Sequence, residues 1–232
     1  MQYHIDFTET FDCMICLNGS IPGSDFFSLL KDVPLLAADG AALKLFDIGV
    51  SPDYVIGDLD SFYSSEKSSD FPDTKIIFLP DQEHNDFEKT LTYCLDNGFK
   101  SALIAGFHGG ELEHTLNNWS ILKKFSDKLQ ICVYDQGRYC LPLKFSVNLN
   151  VKTGEMISII PQPEALLTTV NLQWELKNES LSLGVREGAR NRALSEDITI
   201  EIHSGEILLV IDCRLPLAPK YVLNRMSPVN SR

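Results

Sequence analysis

The stretch Tyr54–Ser61 reads Tyr-Val-Ile-Gly-Asp-Leu-Asp-Ser, a short apolar run that ends in a glycine and two acids. Short runs that are apolar at both alternating positions are typical of strands buried on both faces, as in a parallel sheet covered by helices. In an open sheet of this kind, ligands bind beyond the carboxyl ends of the strands. The stretch therefore predicts a parallel α/β fold with a polar site, containing Asp58 and Asp60, at one edge of its sheet.

Other short apolar runs alternate with helix-like segments up to about residue 136. Five further strands are predicted at Phe11–Leu17, Pro34–Ala38, Lys75–Leu79, Ala102–Ala105 and Gln130–Tyr134. Amphipathic stretches over Asp86–Asp96 and Leu112–Phe125 predict helices between them. Strands that alternate with helices form a parallel sheet with helices on its faces, so residues 1–136 are expected to form one α/β domain.

The sequence changes character after Gly137, where runs rich in β-formers are separated by turn residues. They lie at Tyr139–Leu143, Met156–Ile160, Thr168–Leu172, Ile198–Ile202 and Ile207–Ile211. The last two runs flank His203-Ser204-Gly205-Glu206 and are predicted to form a hairpin. Residues 137–232 are therefore expected to form a smaller, sandwich-like all-β domain. The tail after Asp212, with three prolines, is expected to be loosely held.

Composition limits the partners and the compartment of the 232-residue chain. Hydrophobic residues make up 44% and charged residues 22%, which is typical of a globular protein. The formal net charge of −12 argues against a nucleic acid or an anionic membrane as the main partner. No apolar run approaches the roughly 18–20 residues that cross a bilayer, and the first residues do not resemble a signal peptide. The expected location is the cytoplasm.

Two of the six cysteines, Cys13 and Cys16, form a C-x-x-C pattern that is also found in zinc and redox sites. The pair lies inside a predicted strand, where residues three apart point to opposite faces of the sheet. A second pair with zinc-site spacing is absent from the sequence. Both cysteines are therefore interpreted as buried structural residues.

Polar residues follow four successive predicted strands at the point where each strand ends. Asp39 follows the second strand, Asp58 and Asp60 the third and Asp81 the fourth, and the glycine-rich turn 106–110 follows the fifth. Two carboxylates at positions i and i+2 of an extended loop face one side and offer the oxygen ligands that Mg²⁺ prefers. A magnesium site at this edge of the sheet is therefore predicted.

The starts of the two predicted helices suggest phosphate binding. Asn85 and Glu88 resemble a capping box, but Lys89 in the first turn opposes the helix dipole unless a phosphate lies nearby. Gly109-Gly110 opens the next helix, whose free N–H groups suit an anion, and His114 lies on that helix. The chain contains neither of the common glycine-rich phosphate-binding motifs, G-x-x-x-x-G-K-[ST] and G-x-G-x-x-G. The remaining way to bind phosphate is through a metal ion held by carboxylates.

Four ordered motifs resemble those of the thiamine pyrophosphokinase family over nearly the whole chain. Ala38–Ala41 resembles the family's A-D-G-A stretch, and Gly57–Ser61 matches its G-D-x-D-S. Asp81–Lys89 is similar to its D-Q-x-x-T-D-x-x-K, and Gly109–Asn118 to its G-G-R-x-D-H-x-L-x-N. The resemblance implies a Rossmann-like catalytic domain over residues 1–136, which binds nucleotide and metal, and a β-domain over residues 137–232, which binds thiamine and forms a homodimer.

The resemblance also implies a reaction, ATP + thiamine → thiamine diphosphate + AMP, with Mg²⁺ as cofactor. The implied metal ligands are Asp58, Asp60 and Asp86, and the implied catalytic residues are Asp39, Asp58, Asp60, Asp86 and Lys89. The implied ATP and phosphate contacts are Ser61, Asn85, Lys89, Gly109, Gly110 and His114. The implied substrate contacts are Asp81, Gln82, Trp174, Arg190 and Asn191.

Some positions depart from the family's pattern. Glu111 stands where the family has Arg, Asn85 stands where it has Thr, and Glu113 replaces Asp. Arg190 stands where members often carry Ser, and Arg190 or Arg192 is hypothesised to reach across the dimer and replace the cation lost at Glu111. Three alternatives stay open: a pyrophosphokinase for another hydroxymethyl heterocycle such as a pterin, a catalytically weak homologue that binds nucleotide or thiamine, and a flavodoxin-like interaction domain.

Overall fold

The computed structural model describes residues 1–66 and 70–224, and its chain divides into two compact units. The α/β unit spans Thr10–Arg138, and the β unit contains Met1–Glu9 and the chain from Tyr139 onward. The first strand, β1 (Gln2–Thr10), explains why the first nine residues belong to the β unit, whereas the sequence placed them in the α/β domain. Residues 2–5 of β1 pair in parallel with residues 146–149 of the β unit.

Six parallel strands form the sheet of the α/β unit. They are β2 (Cys13–Cys16), β3 (Leu35–Ala38), β4 (Tyr54–Gly57), β5 (Lys75–Phe78), β6 (Ser101–Ala105) and β7 (Gln130–Asp135). All six predicted strands are confirmed, with bounds that differ by a few residues. Their order is β7-β6-β2-β3-β4-β5, so the chain reverses direction across the sheet between β5 and β6. The switch point of this sheet therefore lies between β2 and β6, where a ligand crevice is expected.

Among the described residues of this unit, five helices accompany the sheet: α1 (Ser24–Ser28), α2 (Ala41–Asp47), α3 (Asp60–Tyr63), α4 (Asp86–Asp96) and α5 (Leu112–Phe125). Both predicted helices, α4 and α5, are confirmed with the predicted bounds. The side chain of Asn85 caps α4 by accepting a hydrogen bond of 2.9 Å from the Glu88 N–H. Among residues 1–66 and 70–224, no helix is long and apolar enough to cross a membrane.

The C-x-x-C cysteines lie on β2 in the centre of the sheet. Cys13 and Cys16 are both free thiols with no solvent exposure, which confirms the prediction of buried structural residues. Burial raises the pKa of the Cys16 thiol to about 12, so the thiol stays protonated. The Cys13 sulfur lies 3.7 Å from that of Cys94, and this hydrogen bond together with burial raises the pKa of Cys13. Thiols in this state are inert.

Up to residue 224, where the described part of the chain ends, the β unit contains seven further strands. They are β8 (Arg138–Leu143), β9 (Ser146–Asn150), β10 (Met156–Val170), β11 (Lys177–Ser182), β12 (Gly188–Arg192), β13 (Asp197–Asp212) and β14 (Leu217–Leu223). One sheet has the order β14-β1-β9-β13-β8. Strand β10 pairs antiparallel with β13, and also with β11 and β12. The predicted β-rich second domain is therefore present, with more strands than the sequence indicated.

The predicted hairpin at Ile198–Ile211 is wrong, because β13 runs without a turn along β10. Gly205 has φ of +82°, and a Cβ on it would lie 2.1 Å from the Glu164 carbonyl oxygen. The glycine therefore permits a close approach of two backbones at a bulge. The expectation of a loosely held tail is wrong for Leu217–Leu223, which is strand β14, and residues 225–232 lie outside the described residues.

Candidate active site

Three carboxylates converge at the carboxyl edge of the α/β sheet. Asp39 follows β3, Asp58 follows β4 and Asp86 is the first residue of α4. One carboxylate oxygen of each lies within 4.8 Å of the others, and this is the only such group of potential metal ligands in the described parts of the chain. We call these three residues the acidic cluster. Its spacing suits a single divalent cation with oxygen ligands.

Gly57 allows the acidic cluster to be compact. A Cβ at this position would lie 2.7 Å from the Asp86 Oδ1 atom and 3.0 Å from the Asp39 Cβ, closer than side chains approach one another. Asp39 is 5% exposed and accepts hydrogen bonds from the Ser61 N–H (3.2 Å) and the Phe62 N–H (3.1 Å). The loop after β4 is therefore held against the end of β3 by Asp39.

Lys89 is the cation of the acidic cluster. Its side chain is only 4% exposed, and its ammonium lies 3.2 Å from Asp86 Oδ1 and 3.5 Å from Asp58 Oδ2. A buried ammonium is stable only when it is paired, and here it has two carboxylate partners. This contact accounts for a lysine in the first turn of α4, where the helix dipole opposes it.

The pKa values of two members of the cluster shift in opposite directions. Burial tends to raise the pKa of Asp58, but hydrogen bonds from the Asp60 N–H and the Gln82 amide, together with Lys89, lower it overall. The Gln82 Nε2 atom lies 2.9 Å from Asp58 Oδ2. Burial dominates at Asp86 and raises its pKa, although Lys89 partly offsets this effect. The protein therefore holds Asp58 ionised more firmly than Asp86.

Two predicted site residues have surroundings that differ from those of the acidic cluster. The Asp60 side chain is exposed and is not a member of the cluster, although its N–H approaches Asp58 at 3.4 Å. The carboxylate of Asp81 accepts a hydrogen bond from the Glu83 N–H and shares another with the His84 ring. Both contacts lower the pKa of Asp81, and the contact with Glu83 has the larger effect. Asp81 therefore has local partners within its own loop.

A cavity of about 440 Å³ opens beside Asp39 and Asp86. It is lined by the ends of β2, β3 and β6 and by the first residues of α4 and α5. The predicted residues among its lining are Asp39, Ser61, Asn85, Asp86, Gly109, Gly110 and His114. The sequence analysis missed Leu17, Asn18, Gly19, Phe87 and Phe107. Asn18 and Gly19 follow β2 directly, so the strand-end argument that found the other loops also applies to this one.

The start of α5 carries a contact between a glutamate and a histidine at the cavity. Glu111 Oε2 and His114 Nε2 lie 3.2 Å apart, and both side chains are 71% exposed. Asn118, one turn further on, donates a hydrogen bond of 2.9 Å to the Phe107 carbonyl and so fixes the glycine-rich loop against α5. The side chain of Glu111 brings a negative charge to this wall of the cavity, where a phosphate-binding site would favour a cation.

The predicted substrate residues of the β unit are organised by one buried amide. Asn191 is 7% exposed, accepts a hydrogen bond from the Trp174 N–H (3.1 Å) and donates one to the Trp174 carbonyl (2.8 Å). The Trp174 side chain itself is 59% exposed. Arg190 is exposed with φ of +59°, and its N–H bonds the Ser158 hydroxyl at 2.9 Å. The guanidinium of Arg192 donates to the Gly154 carbonyl at 3.2 Å.

Models of one protein family match segments of both units. The family model described as "Thiamin pyrophosphokinase, catalytic domain" matches residues 28–134, and "Thiamin pyrophosphokinase, vitamin B1 binding domain" matches residues 143–207. "Thiamin pyrophosphokinase 1" of Caenorhabditis elegans is 27% identical over 192 residues, covering 75% of this chain and 77% of its own. "Thiamine pyrophosphokinase 1" of Oryza sativa subsp. japonica is 27% identical over 231 residues, covering 84% of each chain.

Solved structures support the fold. The thiamin pyrophosphokinase of Candida albicans superposes with a TM-score of 0.73 at 18% identity, covering 87% of this chain and 89% of its own. The yeast thiamin pyrophosphokinase gives a TM-score of 0.73 at 19% identity, covering 90% and 89%. At these identities the likeness establishes the architecture, an α/β region followed by a β-rich region.

Proposed function

Because this chain belongs to the thiamin pyrophosphokinase family, we propose that it transfers the diphosphate group of ATP to the hydroxyl of thiamine, which gives thiamine diphosphate and AMP. The observation that carries this proposal is the acidic cluster with its buried Lys89, beside a cavity in the segment that the catalytic-domain model matches. Three carboxylates and one ammonium are the groups that a metal-bound polyphosphate needs.

The residues of the acidic cluster fit Mg²⁺. Their oxygens converge within 4.8 Å, and the pKa of Asp86 is raised, mainly by burial, although Lys89 lies beside it. We propose that Asp39, Asp58 and Asp86 hold the ion, with Asp60 near the same loop. A bound Mg²⁺ would supply neutralisation of the charge on the diphosphate during its transfer.

The chain's own groups orient the reactants. Lys89 is placed to neutralise phosphate charge, and Ser61, Asn85 and Gly110 line the cavity in which the phosphates would lie. The thiamine hydroxyl oxygen attacks the β-phosphorus, and the bond from that phosphorus to the oxygen shared with the α-phosphate breaks, so AMP leaves. The hydroxyl proton passes to a carboxylate of the protein.

We propose that the β unit binds the thiamine itself, since the vitamin B1 binding model matches residues 143–207. Trp174 offers an exposed aromatic face, and Asn191 fixes the backbone of that residue. Arg190 is an exposed cation on the neighbouring strand β12, in the segment where the family recognises its acceptor. We further propose that the protein acts as a homodimer, which light scattering of the purified chain would test.

One assay tests the proposed reaction. The purified protein is incubated with Mg·ATP and either thiamine or a hydroxymethylpterin, and AMP, ADP and the diphosphate ester are separated and quantified. We expect AMP and thiamine diphosphate in equal amounts and no ADP. Production of ADP would indicate transfer of a single phosphate, AMP with the pterin alone would indicate another acceptor, and no turnover of either alcohol would refute the proposal.

A matched pair of variants assigns the activity to the acidic cluster. Asp58→Asn removes a charge from the cluster, and Asp96→Asn removes one from the opposite end of helix α4, about 15 Å from Asp86 at a rise of roughly 1.5 Å per residue. We expect AMP formation to be lost in the first variant and retained in the second. Equal activity of the two variants would exclude Asp58 from the chemistry.

A further inference from the structure

The loop after β2 is bound to the glycine-rich loop after β6 by main-chain hydrogen bonds. The N–H of Leu17 donates to the Ala105 carbonyl (2.9 Å), that of Gly19 to Gly106 (3.0 Å) and that of Ser20 to His108 (2.7 Å). We call residues 18–20 the switch-point loop, because β2 and β6 flank the point where the strand order reverses. Asn18 and Gly19 of this loop line the cavity.

The two loops leave no room for a side chain between them. A Cβ on Gly19 would lie 2.2 Å from the His108 carbonyl oxygen and 2.3 Å from that of Gly106. A Cβ on Gly106 would lie 2.2 Å from the Leu17 carbonyl oxygen. The N–H groups of Gly19 and Ser20 are therefore used on the side of β6, while the carbonyls of Asn18 and Gly19 need partners elsewhere.

Lys44 of helix α2 provides that partner. Its ammonium donates hydrogen bonds of 2.6 Å to the Asn18 carbonyl and 2.8 Å to the Gly19 carbonyl. Lys44 is not among the residues that line the cavity, whereas Asn18 and Gly19, whose carbonyls it binds, are. Hydrogen bonds to a charged donor are stronger than those between neutral groups. This contact also joins the switch-point loop to the helix that follows Asp39.

The direction in which these carbonyls point affects the electrostatic potential of the cavity, which already contains negative charge. The wall already carries the carboxylates of Asp39, Asp86 and Glu111. A carbonyl oxygen turned into the cavity would add a further negative dipole end opposite the phosphates of a nucleotide. Lys44 hydrogen-bonds two carbonyl oxygens of this loop, and Lys44 is not itself a lining residue of the cavity.

We propose that Lys44 is a positioning residue for the nucleotide, which acts by keeping the switch-point loop in its binding conformation. The proposal rests on the function proposed above and identifies a residue that the reaction itself does not require. It assigns Lys44 to the binding of Mg·ATP and not to the chemical step or to the binding of thiamine.

The test compares Lys44→Met, Lys44→Arg and the control Lys100→Met. Methionine keeps the apolar stem of the side chain and removes its donors, arginine restores donors, and Lys100 is an exposed residue at the opposite, amino end of β6. The KM values for Mg·ATP and for thiamine, kcat and the melting temperature are measured for each. Calorimetry with a non-hydrolysable ATP analogue and Mg²⁺, without thiamine, gives the nucleotide Kd directly.

We expect Lys44→Met to raise both the KM for Mg·ATP and the analogue Kd about tenfold, which is the loss of one or two charged hydrogen bonds. The kcat and the KM for thiamine stay within about twofold of wild type, Lys44→Arg recovers most of the affinity, and Lys100→Met matches wild type. An unchanged Kd for the analogue would overturn the proposal. So would a loss confined to kcat or to thermal stability that arginine does not rescue.

If Lys44→Met does not fold, Lys44→Gln replaces it in the comparison, since its amide keeps N–H donors but no charge and should give an intermediate Kd. The calorimetric arm also separates the two proposals. A wild-type protein that makes no AMP from thiamine refutes the reaction, whereas the analogue Kd of the Lys44 variants still decides the role of this residue.

Discussion

The acidic cluster of the α/β unit and the exposed residues of the β unit differ in how firmly their side chains are held in the free protein. Lys89 is 4% exposed and contacts two carboxylates, whereas the Trp174 side chain is 59% exposed and only its backbone is fixed, by Asn191. The charged groups of the first region are already desolvated and in contact with one another in the free protein. Groups preorganised in this way stabilise the charge that develops in a transition state. In the second region most contacts would form on binding. Substitutions should therefore affect turnover in the first region and acceptor affinity in the second.

The largest effect should follow from Lys89→Met. We expect kcat at saturating Mg²⁺ and both substrates to fall about 10²–10³-fold, the usual cost of removing a group that stabilises transition-state charge. Lys124→Met is the control. Lys124 lies on α5, is 51% exposed and pairs with Glu88, which is on α4 next to Lys89. Exposed pairs of that kind contribute little. A kcat for Lys89→Met close to that of the control would break the contrast between the two regions.

A smaller loss should follow from Gly57→Ala. The added Cβ would lie 2.7 Å from the Asp86 Oδ1 atom, so the Asp86 carboxylate would have to move. Displacement of a reacting group by about 1 Å can cost roughly 10²-fold in rate. Gly98→Ala is the control, since both glycines have a positive φ (+157° at Gly57 and +80° at Gly98) but a Cβ on Gly98 meets no atom within 4 Å. Retained activity in Gly57→Ala would show that the compactness of the acidic cluster is dispensable.

Trp174→Ala tests the other region. We expect the KM for thiamine to rise roughly tenfold, as is typical when an aromatic contact of about 0.5–1.5 kcal/mol and its buried area are lost. The KM for Mg·ATP and the melting temperature should stay near those of wild type, because the side chain is mostly exposed in the free protein. Val185→Ala, at 84% exposure, serves as the control. A fall in kcat without a change in thiamine KM would contradict the division of roles.

The smallest effect concerns stability. Burial raises the pKa of Asp86 above the value for the unfolded chain, so the ionised form destabilises the folded protein when the pH exceeds the folded pKa. We therefore expect Asp86→Asn to raise the free energy of unfolding in EDTA at pH 7, while it abolishes turnover. The gain should disappear as the pH falls below about 3.9, where Asp86 is protonated in both states. Urea unfolding at a series of pH values measures this difference, and a gain that persisted in acid would have another origin.

The strand-end argument predicted most of the candidate site because parallel strands bring their carboxyl ends together whatever the loops contain. It placed Asp39 and Asp58 at one edge of the sheet, where their carboxylate oxygens lie within 4.8 Å of each other. Asp86, the third member of the acidic cluster, came instead from the family resemblance, and Asp81, which the strand ends also predicted, is not a member of the cluster. The strand-end argument missed Asn18 and Gly19, since an uncharged loop after β2 gives no chemical signal in the sequence. Lys44 was missed for a different reason. Its role depends on two backbone carbonyls, which every residue possesses.

Local backbone geometry explains where Asp60 and the predicted hairpin departed from expectation. Two acids at i and i+2 face one side only in an extended loop, but Leu59 has φ of +66° and helix α3 begins at Asp60. The Asp60 side chain therefore does not join the acidic cluster. At Gly205 the sequence pattern of a turn and that of a bulge are the same, and the partner strand β10 decides between them. Information of this kind lies in tertiary pairing and not in the local sequence.

The pairing of β1 with β9 has a consequence for the order of folding. His4 and Asn148 share a hydrogen bond of 3.0 Å although 144 residues separate them, and β14 lies on the other side of β1. A ribosome releases β1 early, yet its neighbours in the sheet emerge only after the whole α/β unit has been made. The α/β unit can thus form during synthesis, while β1 waits as an unpaired edge for a contact of very high sequence separation. Synthesis therefore completes the α/β unit before it supplies β9 and β14, the two neighbours of β1 in its sheet.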